Sequence, residues 1–158
     1  MESQELDKNP AVRKLRDSMP RAIAEVIESK GETTIVVPAD ELLRISEYLA
    51  TDPALLFSFL SDISAVDRFP LEPRFEVNYH LVSLEKQVRL RLKVRLPGRD
   101  PAVHSVTPVW PTANWHERET FDLFGIRFDG HPDLRRILMP DEWEGYPLRK
   151  DYPVTGFR

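Results

Sequence analysis

Between Phe75 and Leu96 apolar and polar residues alternate: Phe75, Val77, Tyr79 and Leu81, then Val88, Leu90, Leu92, Val94 and Leu96, with polar or charged residues between them. Successive side chains of a strand point to opposite faces, so each run predicts a strand that buries one face. Ser83 to Gln87 is short enough to join the two as a hairpin. Thr33-Thr34-Ile35-Val36-Val37 is β-branched throughout and predicts another strand. Pro53 begins a short apolar run leading into a further strand from about Phe57 to Val66, and Val103 to Val109 predicts a last one, weakened by Pro108. Helical spacing shows in three places. Val12, Leu15, Ile23, Val26 and Ile27 predict a helix across Pro10 to Ser29, interrupted near Pro20. Leu42, Leu43, Ile45, Tyr48 and Leu49 predict a second, with Asp40 as its N-cap. The third starts at Thr112 or Asn114 and stops at Gly125.

After Gly130 the periodicity fades. Pro132, Pro140, Pro147 and Pro153 recur every six to eight residues, which opposes both helix and central strand. The predicted fold is therefore α+β, two layers deep. A mixed, mostly antiparallel sheet carries helices on one face, and an extended arm ends the chain. Residues 1–9 are polar and expected to be loose, 10–138 form one domain, and 139–158 form the arm.

Composition narrows the function. At 158 residues the chain is long enough for one domain with a real core. A net charge of −4 gives no basic footprint for nucleic acid, and the series Arg89, Arg91, Lys93 and Arg95 reads as the solvent face of a strand. There are no cysteines, so the chain lacks the usual ligands of an iron–sulfur cluster, a thiol nucleophile and any disulfide framework. The longest apolar stretch, Pro53 to Leu60, is far short of the roughly 20 residues that span a bilayer. The start, MESQELDKNP, has neither a basic head nor an apolar signal core, so a cytoplasmic location is expected, with membrane association only through a partner.

The stretch from Trp115 to Pro140 mixes acids, arginines and two histidines among aromatic and aliphatic residues. At about 100° per residue, Glu117 falls between Phe121 and Phe124, and Glu119 between Trp115 and Leu123. A carboxylate placed there must find an arginine or lose its charge. Arg118 and Asp122 share one stripe at i,i+4, a spacing that allows a direct ion pair. The arginines Arg118, Arg127, Arg135 and Arg136 are expected to keep Glu117 and Glu119 ionised. His116, Glu117, Glu119, Asp129, His131 and Asp133 are metal-ligand types without ligand spacing, and the arginines among them would repel a cation. Glu117 and Glu119 as a general acid/base pair is the enzymatic alternative, but their side chains diverge by about 160° around the helix.

Glu117-Arg118-Glu119, Asp122-Leu123-Phe124-Gly125-Ile126, Gly130-His131-Pro132-Asp133-Leu134-Arg135-Arg136-Ile137-Leu138 and the tail from Trp143 to Pro153 together resemble the motif of the C-subunit family of proton-translocating NADH:quinone oxidoreductase, respiratory complex I. The resemblance implies a structural subunit of the hydrophilic arm, without a catalytic residue. It would pack against the D subunit and near the B subunit, on the cytoplasmic side of the membrane. NADH, FMN, iron–sulfur clusters and quinone would be bound elsewhere in the complex, and none by this chain. Similar domains occur in energy-converting hydrogenases and in quinone oxidoreductases with other donors. The resemblance also implies that Trp115, Glu117, Arg118, Glu119, Asp122, Gly125, His131, Pro132, Arg135 and Arg136 shape the domain. Trp143, Tyr146, Arg149, Lys150, Asp151 and Tyr152 are expected to dock a partner, since aromatics on an irregular segment suit interface pockets.

Overall fold

The computed structural model describes residues 8–157, so most of the N-terminal segment expected to be loose lies outside the described residues. Elements run in the order α1 (Pro10–Ser18), β1 (Glu25–Ser29), β2 (Glu32–Val36), a 3₁₀ turn (Ala39–Glu41), α2 (Leu42–Thr51), β3 (Phe59–Asp67), β4 (Phe75–Ser83), β5 (Val88–Leu96), β6 (Ala102–His104), α3 (Ala113–Phe124) and β7 (Arg127–Asp129). Five strands form a mixed sheet in the order β1-β2-β5-β4-β3. Its pairs are antiparallel except for β2 with β5, which run parallel. The alternation of β4 and β5 is kept except that Asn78 on the polar row is also buried and Val88 on the apolar row is only partly so, with Tyr79 opposite Leu92 and His80 opposite Arg91. The apolar row of that hairpin packs with Val12 and Leu15 of α1, Ile45 and Leu49 of α2 and Ala113 of α3 in one core. An α+β architecture with helices on one sheet face follows.

On the other face, Arg91 pairs with Glu32, Lys93 with Glu76, and Arg95 with both Glu25 and Glu76. Three sequence expectations are corrected. Glu25–Ser29 is an edge strand, where a helix was predicted through Val26 and Ile27. Val26 and Ile27 point to opposite sides of that strand and both are partly buried, with exposed residues around them, so its pattern never alternates. Asp40 lies within the 3₁₀ turn, and α2 starts after Glu41 with no side-chain cap. The strand predicted over Val103 to Val109 ends at His104, because the chain turns at Val106 to receive the Val109 and Trp110 amides.

The short strands β6 and β7 pair in parallel on either side of α3. Pairing a strand that precedes α3 in the chain with one that follows it closes residues 102–129 into one unit around the helix that carries the unusual charges.

Candidate functional site

The site is the helix α3 with the irregular chain that wraps it. Glu117 is 0% exposed, whereas Glu119 is exposed and Trp115 is 62% exposed. Of the two glutamates expected among apolar residues, only Glu117 lies there. Its Oε1 accepts the Val106 amide at 2.8 Å and its Oε2 accepts the Ser105 hydroxyl at 2.7 Å. No arginine reaches it among the described residues, contrary to expectation. Burial therefore outweighs these two hydrogen bonds and pushes its carboxyl up to about 7.

Arg118 and Asp122 do share a buried stripe, but they do not pair with each other. Arg118 donates from Nε to the Arg135 carbonyl at 3.2 Å and from Nη2 to that of Arg136 at 3.1 Å, with its guanidinium 5.1 Å from the centre of the Trp115 ring. Asp122 is 0% exposed and receives four donors. Arg136 Nη1 meets Oδ1 at 2.9 Å, and the amides of Ile137, Leu138 and Met139 converge on Oδ2 at 3.1, 2.7 and 2.9 Å. Burial alone would raise this carboxyl, but the three amides and Arg136 outweigh it and hold it below its ordinary value. His131 places Nε2 3.1 Å from the Asn114 carbonyl and takes the Asp133 amide on Nδ1 at 2.9 Å. His116 instead pairs with Asp62 on β3, at 3.2 Å. Arg135 and Asp133 form an exposed pair, and Pro132 sits in the exposed turn beside them.

The arm returns to the end of α3. A helix leaves its last four carbonyls without partners inside the helix. Here the Phe121 carbonyl takes the Gly125 amide, that of Asp122 takes Arg136 Nη1, that of Leu123 takes the Leu148 amide, and that of Phe124 takes Arg149 Nε at 2.6 Å. Three of the four caps thus come from residues far along the chain. Gly125 ends the helix at φ +74°, and a Cβ there would lie 2.5 Å from the Tyr146 ring. Tyr146 packs on Phe121, and the Arg149 guanidinium lies 5.2 Å from the Phe75 ring and 4.9 Å from that of Tyr146. Arg136 also donates to the Gly145 carbonyl at 2.9 Å.

A second anchor lies at the loop between β3 and β4, which contains two cis X-Pro bonds. Asp67 receives Arg74 through two 2.8 Å bonds and the Lys150 amide through another. Arg74 reaches on to Asp151 at 2.8 Å. The Arg74 guanidinium holds both carboxyls below their usual range, Asp67 strongly so. Asp67 and Arg74 were missed from sequence, since a lone Asp-Arg pair flanking prolines looks like any polar turn. Ser105 and Thr107 were missed too, for the same reason.

Of the residues expected to dock a partner, then, Tyr146 and Arg149 face this chain's own helix, and Lys150 and Asp151 bind its β3–β4 loop. Trp143 is 40% exposed, Leu148 52% and Phe157 57%. Tyr152 stacks edge-on against Phe157 at 5.4 Å. Among the described residues no helix is long and apolar enough to cross a membrane.

This arrangement coincides with a known family. Residues 35–158 match the model described as "Respiratory-chain NADH dehydrogenase, 30 Kd subunit". The chain is 47% identical over 149 residues to the C subunit of the NADH-quinone oxidoreductase of Roseiflexus sp. (strain RS-1), covering 94% of this chain and 86% of that one. It is 50% identical over 137 residues to the C 2 subunit of the NADH-quinone oxidoreductase of Rhizobium meliloti (strain 1021), covering 87% and 75%. Among solved structures it resembles a trypsin-resistant fragment of Nqo5 (TM-score 0.65, 36% identity, 77% of this chain and 97% of that one). It also resembles a chain of the membrane-bound sulfane sulfur reductase, an archaeal respiratory membrane complex (TM-score 0.73, 27% identity, 98% and 87%).

Proposed function

The chain belongs to the family of the respiratory-chain NADH dehydrogenase 30 Kd subunit, and from that premise we propose that it is a non-catalytic structural subunit of a proton-translocating NADH:quinone oxidoreductase. In this reading it packs against the D subunit, near the B subunit and the quinone-reduction region, on the cytoplasmic side of the membrane. It holds no cofactor itself, and NADH, FMN, iron–sulfur clusters and quinone are bound by other subunits. The observation that carries the reading is the two-sidedness of the arm. Its inner groups tie it to α3 and to the β3–β4 loop, while Trp143, Leu148, Val154 and Phe157 stay on the outside. Large apolar residues held outward on a braced segment suit pockets on a partner. The acid/base alternative has less support, since the Glu117 carboxyl is sealed from substrate and Glu119 points away from it.

The test is association of the full chain with a D subunit. Trp143→Ala and Leu148→Ala should each weaken binding about tenfold or more, as anchor residues do, without lowering the melting temperature of the free chain. Unchanged affinity in both would remove the docking role of the arm.

A second reading has its own observation. The likeness to a chain of the sulfane sulfur reductase extends over nearly the whole protein, so a complex with a different electron partner uses a similar domain. Purifying the native assembly and assaying it with NADH separates the two. NADH-dependent quinone reduction supports the first, and a complex inert to NADH the second.

A further inference from the structure

Glu117 differs from the other buried carboxylates of this fold. Asp67 is held by Arg74 and Asp122 by Arg136, whereas among the described residues Glu117 has only one amide and one hydroxyl. The titratable groups facing it from the packed elements are Tyr79 of β4 and His104 of β6. The Tyr79 hydroxyl is buried and without a hydrogen-bond partner among the described residues, and the His104 side chain lies at the surface. On α3 itself Arg118 turns away to the carbonyls of residues 135 and 136, and Asp122 is committed to Arg136. Among the described residues an ionised Glu117 would therefore sit in the core with no counter-charge in contact, the surface His104 acting on it only from a distance, a costly state that a bound proton relieves.

A line of hydroxyls runs outward from this carboxyl. Ser105 Oγ lies 2.7 Å from Glu117 Oε2 and 2.9 Å from Thr107 Oγ1, and Thr107 is partly exposed. We propose that Glu117, Ser105 and Thr107 form a buried proton-binding site, in which Glu117 takes up one proton and exchanges it with solvent along the two hydroxyls. In the protonated state Glu117 Oε2–H donates to Ser105 Oγ, and Ser105 donates to Thr107 Oγ1. On release, Thr107 gives its proton to water and takes that of Ser105, which takes the one from Oε2. Three O–H bonds break and three form, a hydronium ion leaves, and no electron is transferred. Both hydroxyls keep one proton and only reverse their direction. The Val106 amide donates to Oε1 in either state, so the carboxyl stays in place while its charge changes. The bond between α3 and the loop 105–107 is thereby made dependent on pH.

The full chain, labelled with ¹³C at the glutamate carboxyls, tests this by NMR titration. One resonance, absent in Glu117→Gln, should titrate with a midpoint near 7, well above the roughly 4.3 of an exposed glutamate. Should Glu117→Gln not fold, through-bond correlation to the Glu117 amide assigns the same resonance in the unmodified chain. Ser105→Ala should raise the midpoint further, because the ionised form loses a donor. Thr107→Val should leave the midpoint in place and slow the exchange, splitting a moving line into two. A midpoint in the ordinary carboxylate range overturns the site. A raised midpoint with exchange unchanged in both Ser105→Ala and Thr107→Val overturns the hydroxyl path, and with it the proposal as stated.

Discussion

Replacing Asp122 with alanine should be among the most damaging single substitutions in this chain. The side chain is wholly buried, and its loss removes the partner of Arg136 and the shared acceptor of three consecutive amides. Breaking a buried ion pair by deleting one member costs about 3–5 kcal/mol. Orphaned amides cost about 1–3 kcal/mol each when they stay buried, but the segment 137–139 lies near the surface and can swing to water. Arg136 also keeps its bonds to the Asp122 and Gly145 carbonyls. The lower end, about 3 kcal/mol, is therefore expected. Asp122→Asn keeps an acceptor but presents an amide NH₂ to donors, and should cost somewhat less. Asp133→Ala is the control, since its pair with Arg135 is exposed and worth about 0–1 kcal/mol.

Urea unfolding at neutral pH measures all three. An acid series adds an independent check. The Asp122 carboxyl is depressed in the folded state, so its contribution is complete above its unfolded value of 3.8 and is lost as pH falls through the folded value. Asp122→Ala should accordingly show a shallower loss of stability below about pH 4 than the unmodified chain. A cost within about 0.5 kcal/mol of the Asp133→Ala control would refute the reasoning, because it would mean that the loop 135–139 does not depend on this carboxylate.

Removing residues 140–158 should lower the melting temperature of the chain, since it strips the caps of Leu123 and Phe124 and the Lys150 and Asp151 bonds to the β3–β4 loop; an unchanged transition by circular dichroism would count against the capping role. Gly125→Ala should destabilise by about 2 kcal/mol or more, combining a left-handed backbone with a clash against Tyr146, and denaturant unfolding measures it. Arg118→Ala loses two bonds to carbonyls and should cost about 1.5–3 kcal/mol by the same measurement, against 0.5 kcal/mol or less for the exposed Arg89→Ala.

What could be read in the sequence follows a physical divide. The β4–β5 hairpin was legible because one face is buried and the other ionic, which forces alternation. The limits of α3 were legible from Thr112 and Gly125, although the Thr112 side chain makes no cap. By contrast β1 was hidden, since an edge strand with both sides partly open has no reason to alternate, and Val26 and Ile27 happen to fit a helical spacing with Ile23. The charged motif announced itself, but its pairings did not. Asp122 meets Arg136, fourteen residues on, and Glu117 meets Ser105, twelve residues back, so no local spacing encodes either contact. The arm suggested a partner by its aromatics, while its role as a cap rests on backbone carbonyls, which leave no trace in residue identity.

The parallel pairing of β2 with β5 bears on the order of folding. β3, β4 and β5 form a meander of adjacent strands, and β1 and β2 are joined by a tight turn, so each group closes only short loops. Setting Thr34 opposite Arg91 requires the whole intervening chain to be gathered first. Because long-range closure is rewarded only once both edges exist, the meander and the small hairpin should assemble separately and meet late. Substitutions at the β2–β5 seam, such as Ile35→Val, should then speed unfolding more than they slow folding.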